Sequence, residues 1–289
     1  EPARLSQLAG LPPGVQVSGV HRRLLTTDFA HSGSELHRVE CAVESAQSPK
    51  GTDLSTGGPA RAPSFILKRL NREWDWLMRV TEDDRCRSVA LWERGVLDRL
   101  PSEIDHCILA AARDGDGWAL LMRDVGDYFV TDRRFTEEQG RLFLDAMAAM
   151  HAEFFEDPAP AAIEAGLSEL RYVYEMFAPR TAVRADAGSG DILKRIVEGW
   201  DRVRAICPSD VVDVIEPLLI DPTPLVEALR RYPSTLVHGD FRHSNLAVLP
   251  PGYTAAGLRS DRPRVALLDW ALAVYAPPAV ELGRYIGAN

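Results

Sequence analysis

The sequence predicts an α+β fold in two lobes, a small sheet first and a larger, mainly helical part after it. Three observations carry this. Apolar strand-like runs crowd the first 125 residues, helical periodicities dominate from Thr136 to about residue 232, and two short strand-like runs return near the C-terminus. Strands and helices are segregated rather than alternating, which disfavours repeated βαβ units. Of the 289 residues 46% are hydrophobic and 26% charged, enough to bury a sizeable core and far from the profile of a disordered chain.

In order along the chain, VQVSGVHRRLL and LHRVECAV within residues 15–43 read as two strands around a polar loop. Residues 44–63, rich in Ser, Gly and Pro, read as a mobile insertion. The run SFILKRL that follows reads as a third strand. Val89, Trp92, Val96, Leu97 and Leu100 then recur at helical spacing from about Asp84 and are closed by Pro101, predicting one amphipathic helix. CILAAAR and WALLMRDV flank the turn-forming Asp114-Gly-Asp-Gly117, which predicts a hairpin. The first lobe is expected to end near Val125, so the domains are 1–125 and 126–289. Thr136 and Gln139 form a capping box opening a helix with Phe143, Met147, Met150 and Phe154 on one face. Ile192, Ile196, Val197, Trp200 and Val203 mark another helix, and STLVHGDFRHSNLAVLP and RPRVALLDWALAV supply the late strands.

Composition excludes some roles. A net charge of −9 and a pI near 5.3 argue against general affinity for a nucleic-acid backbone and suit a neutral or cationic ligand better. Cys41, Cys86, Cys107 and Cys207 are widely spaced, with no CxxC pair, and indicate neither a disulfide framework nor a structural zinc. No run approaches the length of a membrane span. A cytoplasmic protein with no membrane partner is expected; its oligomeric state is unspecified.

The densest cluster of chemistry is His238-Gly-Asp240-Phe-Arg-His-Ser-Asn245, followed by Leu267-Leu-Asp269-Trp270. An Asp, an Asn five residues on and a second Asp ending a nearby strand can converge at one edge of a hairpin. Oxygen donors of this kind suit Mg²⁺ beside phosphate. An HGDxxxxN run followed by a strand ending in Asp-Trp is similar to the signature of the aminoglycoside phosphotransferase and choline kinase family, small-molecule kinases with a protein-kinase-like fold.

The resemblance implies ATP and Mg²⁺ as cofactors and a hydroxylated small molecule as acceptor. It implies that Asp240 orients and deprotonates the acceptor hydroxyl, that Asn245 and Asp269 hold Mg²⁺, and that His238 braces the loop. It also calls for a strand Lys on the phosphates and a helix Glu to orient it. Lys68 in FILKRL and Glu93 on the flank of the helical stripe are the expected pair, with Glu73 or Glu82 as stand-ins for the glutamate. Buried together, the pair would make loss of either member cost ~3–5 kcal/mol. Ser32, Gly33 and Ser34 occupy the place of the nucleotide-covering turn, equally readable as an ordinary hairpin turn. Met122, Arg123 and Val125 occupy the place of the segment that holds adenine. Two departures stand out: relatives carry Asp-Leu-Ala where this chain has Glu281-Leu-Gly, and they usually continue with further helices past the point where this chain stops.

Two other readings use the same residues. His238, Asp240 and His243 form an HxDxxH string that would suit a metal-dependent hydrolase, though it leaves Lys68, Asn245 and Asp269 unexplained. A catalytically silent nucleotide-binding scaffold of the same fold is the other. The acceptor pocket is expected within residues 152–232, where Glu153, Glu156, Asp157, Glu169 and Glu175 would attract a polyamine-like substrate or simply form a solvated acidic face.

Overall fold

The computed structural model describes residues 2–11, 13–25, 32–45, 63–130, 134–157, 166–185, 191–253 and 260–289. The segregated α+β architecture read from the sequence is the one observed. Strands β1 (Val15–Leu24), β2 (Glu35–Ser45), β3 (Ser64–Leu70), β4 (Ile104–Asp105), β5 (Ile108–Asp114) and β6 (Gly117–Arg123) occupy the first part. All but β4 form one antiparallel sheet in the order β1-β2-β3-β6-β5. The SFILKRL run coincides with β3, and Gly115 between β5 and β6 takes φ +58°, the left-handed turn conformation that glycine enters without steric cost. The expected insertion at 44–63 lies almost wholly outside the described residues; Glu44 and Ser45 end β2.

The expectation of one helix on this sheet is corrected. Among the described residues three short helices occur, Pro2–Leu8, Trp76–Val80 and Arg87–Glu93, and the stripe read as continuous to Leu100 breaks after Glu93. Gly95 adopts φ +70° there, and a separate 3-10 turn, Leu97–Arg99, follows. The apolar spacing survives the break, with Val89, Val96 and Leu97 all buried, so periodicity alone did not reveal it.

Helix Glu137–Glu153 opens with the predicted capping box, Thr136 Oγ1 accepting from Gln139 N and Gln139 Oε1 accepting from Thr136 N. Its inner face, Phe143, Ala146, Met147 and Met150, packs into one apolar cluster with Leu70, Val89, Leu91, Leu120 and Met122 from the sheet side and Phe241, Leu246, Leu267 and Trp270 from the C-terminal strands. Helices Leu170–Glu175, Pro179–Ala185, Asp191–Ile206, Ser209–Ile220 and Thr223–Leu229 follow. Among the described residues no helix is long and apolar enough to cross a membrane.

The chain then returns through β7 (Thr235–Val237), β8 (Leu246–Leu249), β9 (Arg264–Leu267) and β10 (Val274–Ala276) to the helix Pro278–Ala288. β8 and β9 pair antiparallel, β4 joins β9 in parallel, and β7 pairs with β10. Arg87, 2% exposed, ties helix Arg87–Glu93 to this region: its guanidinium donates to the carbonyls of Gly166 and Ala271. All four cysteines are free, and burial pushes the thiols of Cys86 and Cys107 up to about 12, which keeps them protonated and unreactive.

Candidate functional site

The ends of β7, β8 and β9 bring His238, Asp240, Asn245 and Asp269 together. Gly239 makes the turn after β7 at φ +82°, and a side chain there would run into the carbonyl of Leu272, so both conformation and space require glycine. The wholly buried Glu281, on the helix Pro278–Ala288, accepts from the backbone N–H of His238 at 2.7 Å and of Gly239 at 2.9 Å. The longer carboxylate at the Glu281-Leu-Gly departure thus grips the loop backbone directly. His151 lies against it, Nε2 3.5 Å from Glu281 Oε2.

His238 is buried and braced on both nitrogens. Nδ1 accepts from Asp240 N at 3.2 Å, which leaves Nε2 to donate to the carbonyl of Leu268 at 2.9 Å. Its ring also meets Trp270 edge-on, with centroids 4.7 Å apart. An imidazole spent this way has no lone pair for a metal, which removes the first ligand of the HxDxxH alternative. Among the described residues no group of three or more His, Cys, Asp and Glu is placed to hold a metal ion.

Asp240 and Asn245 are nearly buried and linked: Asn245 Nδ2 donates to Asp240 Oδ2 at 2.8 Å and to its carbonyl at 2.9 Å. With both amide protons used inward, Asn245 Oδ1 is left as an acceptor. The N–H of Leu268 donates to the carbonyl of Asn245 at 3.0 Å, fixing the segment before Asp269 to the loop. Asp269 itself takes a left-handed conformation, φ +66°, uncommon for a residue other than glycine. Its Oδ2 pairs with Lys68 Nζ at 2.9 Å, and its buried Oδ1 has no hydrogen-bond partner among the described residues.

The expected Lys68–Glu93 pair does not form. The helix stops at Glu93 rather than running on to Leu100, and Glu93 is exposed there; Glu73 and Glu82 are exposed as well. Lys68 is buried, which by itself lowers its pKa, but Asp269 and then Asp75 more than offset this and hold it above its ordinary value. Asp75 is a residue the sequence reading missed. It is 2% exposed, caps helix Trp76–Val80 by accepting from the N–H groups of Leu77 and Met78, and accepts from Ser32 Oγ at 2.9 Å. Its position ahead of Trp-Leu-Met was a legible helix-capping signal; its approach to Lys68 was not.

Burial pushes the Asp75 carboxyl up to about 6, against the pull of Lys68, Met78 N and Ser32. A carboxyl raised from 3.8 in the unfolded chain to about 6 in the fold favours folding only while protonated. Its contribution is complete below pH ~3.8 and is lost as the pH climbs through ~6, a swing of the order of 3 kcal/mol. Asp75→Asn keeps a capping side chain and removes the titration. Its stability relative to wild type, measured by urea unfolding, is expected to improve by that order between pH 4 and pH 7; a difference that stays flat over the interval contradicts this account.

The remaining expected residues fall around Lys68. Ser32, Gly33 and Ser34 fold back on residues 74–76: the carbonyl of Ser32 accepts from Trp76 N, and a side chain at Gly33, φ +103°, would strike the carbonyl of Trp74. In the β3–β6 register Lys68 lies opposite Leu120 and Ile66 opposite Met122, which puts Met122 on the sheet face that carries Lys68. The guanidinium of Arg123 is buried on Asp105. Val125 is buried with Cys107, Ala247, Leu249 and Ala266, and its carbonyl accepts from Tyr128 N.

Two arginines absent from the sequence reading also reach Asp240. Arg242 Nε donates to Oδ2 at 2.9 Å; Arg284, on the last helix, donates to Oδ1 from Nη2 at 2.6 Å and Nε at 3.2 Å. Burial opposes ionisation of Asp240, but these guanidiniums hold its carboxyl below the ordinary value. Among the acidic residues expected to draw a cation, Glu153 and Asp157 share Arg99, Glu169 pairs with Arg171 and Glu175 with Arg180.

No curated protein sequence matches the chain significantly. A solved structure of the spectinomycin phosphotransferase APH(9)-Ia in complex with ADP and spectinomycin is similar over 91% of this chain and 67% of that one, at 14% identity and a TM-score of 0.47. The model of the phosphotransferase enzyme family, APH, matches residues 108–288, a span that holds every residue of the 238–245 loop and Asp269. With more than half of its length matched, the chain belongs to the phosphotransferase enzyme family.

Proposed function

We propose that this protein transfers the γ-phosphoryl group of ATP to a hydroxyl of a small molecule. The observation that carries the reading is the junction of Lys68, Asp240, Asn245 and Asp269 through the Lys68–Asp269 ion pair, the Asn245–Asp240 hydrogen bond and the Leu268–Asn245 backbone link. Four groups of the right chemistry sit on one connected scaffold drawn from both ends of the chain. The nucleotide is assigned to residues 1–125, with Lys68 on its phosphates, the 32–34 turn beside them and Met122, Arg123 and Val125 along the base. The acceptor is assigned to residues 126–289.

The donor set fits Mg²⁺. Asn245 Oδ1 and the partnerless Asp269 Oδ1 are hard oxygens, and Mg²⁺ ordinarily needs only one or two protein ligands when phosphate and water supply the rest. Bound there, the ion would neutralise phosphate charge. Asp240 would receive the proton of the acceptor hydroxyl as its oxygen bonds to phosphorus; the bond from phosphorus to the ADP oxygen breaks, and the proton passes to solvent. In a loose transition state this is chiefly positioning and charge stabilisation. Burial of the free thiols of Cys41, Cys86 and Cys107 suits a reducing cytoplasm.

Thermal unfolding with Mg-ATP, read beside phosphate transfer to a panel of alcohols, tests the proposal. Stabilisation with transfer is the expected result. Stabilisation without transfer to any alcohol identifies a scaffold, and absence of stabilisation rejects a nucleotide site altogether.

A further inference from the structure

The corner around Asp240 carries an unusual charge pattern. A carboxylate offers about four lone-pair sites. Here all are taken: Arg284 Nε and Nη2 on Oδ1, Arg242 Nε and Asn245 Nδ2 on Oδ2. An acceptor hydroxyl therefore has no free oxygen to approach until one donor leaves. Asn245 is nearly buried and doubly tied to the loop, whereas Arg242 and Arg284 keep side chains 29% and 28% exposed, and neither has a second carboxylate partner among the described residues. The arginines are the groups that can move.

Exchange of a guanidinium for water forfeits charge-assisted contacts, two from Arg284 to Oδ1 and one from Arg242 to Oδ2, whereas an incoming anion restores them to the arginine. Two guanidiniums meet the single carboxylate of Asp240, while Glu281, the other acid at this loop, is spent on the N–H groups of His238 and Gly239. Arg284 lies over the ring of Phe177, 5.1 Å from its centroid, so its head group stands where the loop meets the helical segment assigned to the acceptor. Of the acidic residues that would draw a cation into that segment, Glu153, Asp157, Glu169 and Glu175 are already paired with arginines.

We propose that the acceptor is a hydroxyl compound bearing an anionic oxygen group, carboxylate or phosphate, and that Arg284, assisted by Arg242, binds this anion and in doing so uncovers Asp240. Arg284 is thus the residue that selects the acceptor class. The inference rests on the phosphotransferase reading and names the substrate class for the same site.

The test is calorimetric titration of the protein saturated with Mg²⁺ and a non-hydrolysable ATP analogue. D-glycerate and glycerol 3-phosphate probe the two anions, with glycerol as the neutral and choline as the cationic alcohol. At least one anion is expected to bind at least about ten-fold more tightly than glycerol or choline, and Arg284→Gln to lose about that factor. Arg284→Lys, which keeps charge without the fork, should recover part of it, and Arg242→Gln, on a different element, should weaken the same anion. Affinity for the analogue should move by less than about two-fold, separating acceptor selection from folding or nucleotide defects. Equal or tighter binding of choline or glycerol, absence of binding by both anions, or an unchanged anion affinity in folded Arg284→Gln overturns the proposal. Failure of wild type to bind the analogue overturns the phosphotransferase reading as well, whereas failure of the anions alone leaves that reading standing.

Discussion

Asp240→Asn is expected to lower turnover on a confirmed acceptor by about 10²–10⁴ while leaving Mg-ATP binding largely intact. The substitution preserves size and one oxygen. It removes the charge that orients the acceptor hydroxyl and turns an NH₂ group toward a guanidinium, either Arg242 or Arg284. The loss should therefore fall on kcat, with the nucleotide dissociation constant changing little because Lys68 and Asp269 are untouched. Full activity of the variant would remove Asp240 from the chemistry. The depressed pKa adds a second expectation. A carboxyl held below its ordinary value stays ionised at and well below neutral pH, so its own protonation should not limit the rate there. Such a carboxylate is a weak base, acceptable where the transition state is loose and the proton departs late. Its charge also favours the fold above the unfolded-state pKa of 3.8, and that contribution disappears as the pH falls through the lower folded value.

The parts of this fold that sequence could disclose are those encoded locally. β3 announces itself as a bounded apolar run, the capping box marks the start of helix Glu137–Glu153 through two side chains three residues apart, and the short spacing of HGDxxxxN keeps Asn245 within hydrogen-bond reach of Asp240. What sequence concealed depends on contacts between distant segments. Lys68 finds Asp269 across 201 positions, and Arg284 finds Asp240 across 44. Arg284 carries no local pattern that separates it from a solvated arginine. Glu93 differs for another reason: the apolar periodicity around it is sound, but the helix ends at Glu93 before Gly95, and Glu93 faces solvent while Ala90 and Leu91 of the same turn are buried. Of the acidic residues of 152–232, Glu153 and Asp157 meet Arg99 across 54 and 58 positions, a pairing that no local pattern displays.

Glu281→Leu should be the most damaging single change away from Asp240. The carboxylate is wholly buried and is the acceptor for two consecutive backbone N–H groups, His238 and Gly239, at the turn that aims Asp240. Leucine fills similar volume but leaves both donors buried without partners, each costing about 1–3 kcal/mol, so the loss is of the order of 2–6 kcal/mol. Against a typical domain stability of ~5–15 kcal/mol, that is enough to shift the urea midpoint severely. Glu281→Gln retains one carbonyl oxygen and should lose about half as much, because its NH₂ group confronts one of the two N–H donors. The turn cannot easily compensate: Gly239 is pinned in a left-handed conformation against Leu272, and His238 is held at both ring nitrogens. Loosening should therefore reach Asp240 rather than dissipate in the turn, lowering kcat in the glutamine variant while ATP affinity holds. A leucine variant as stable as wild type would mean that the two amides find other acceptors, and that the grip of Glu281 on the loop is dispensable.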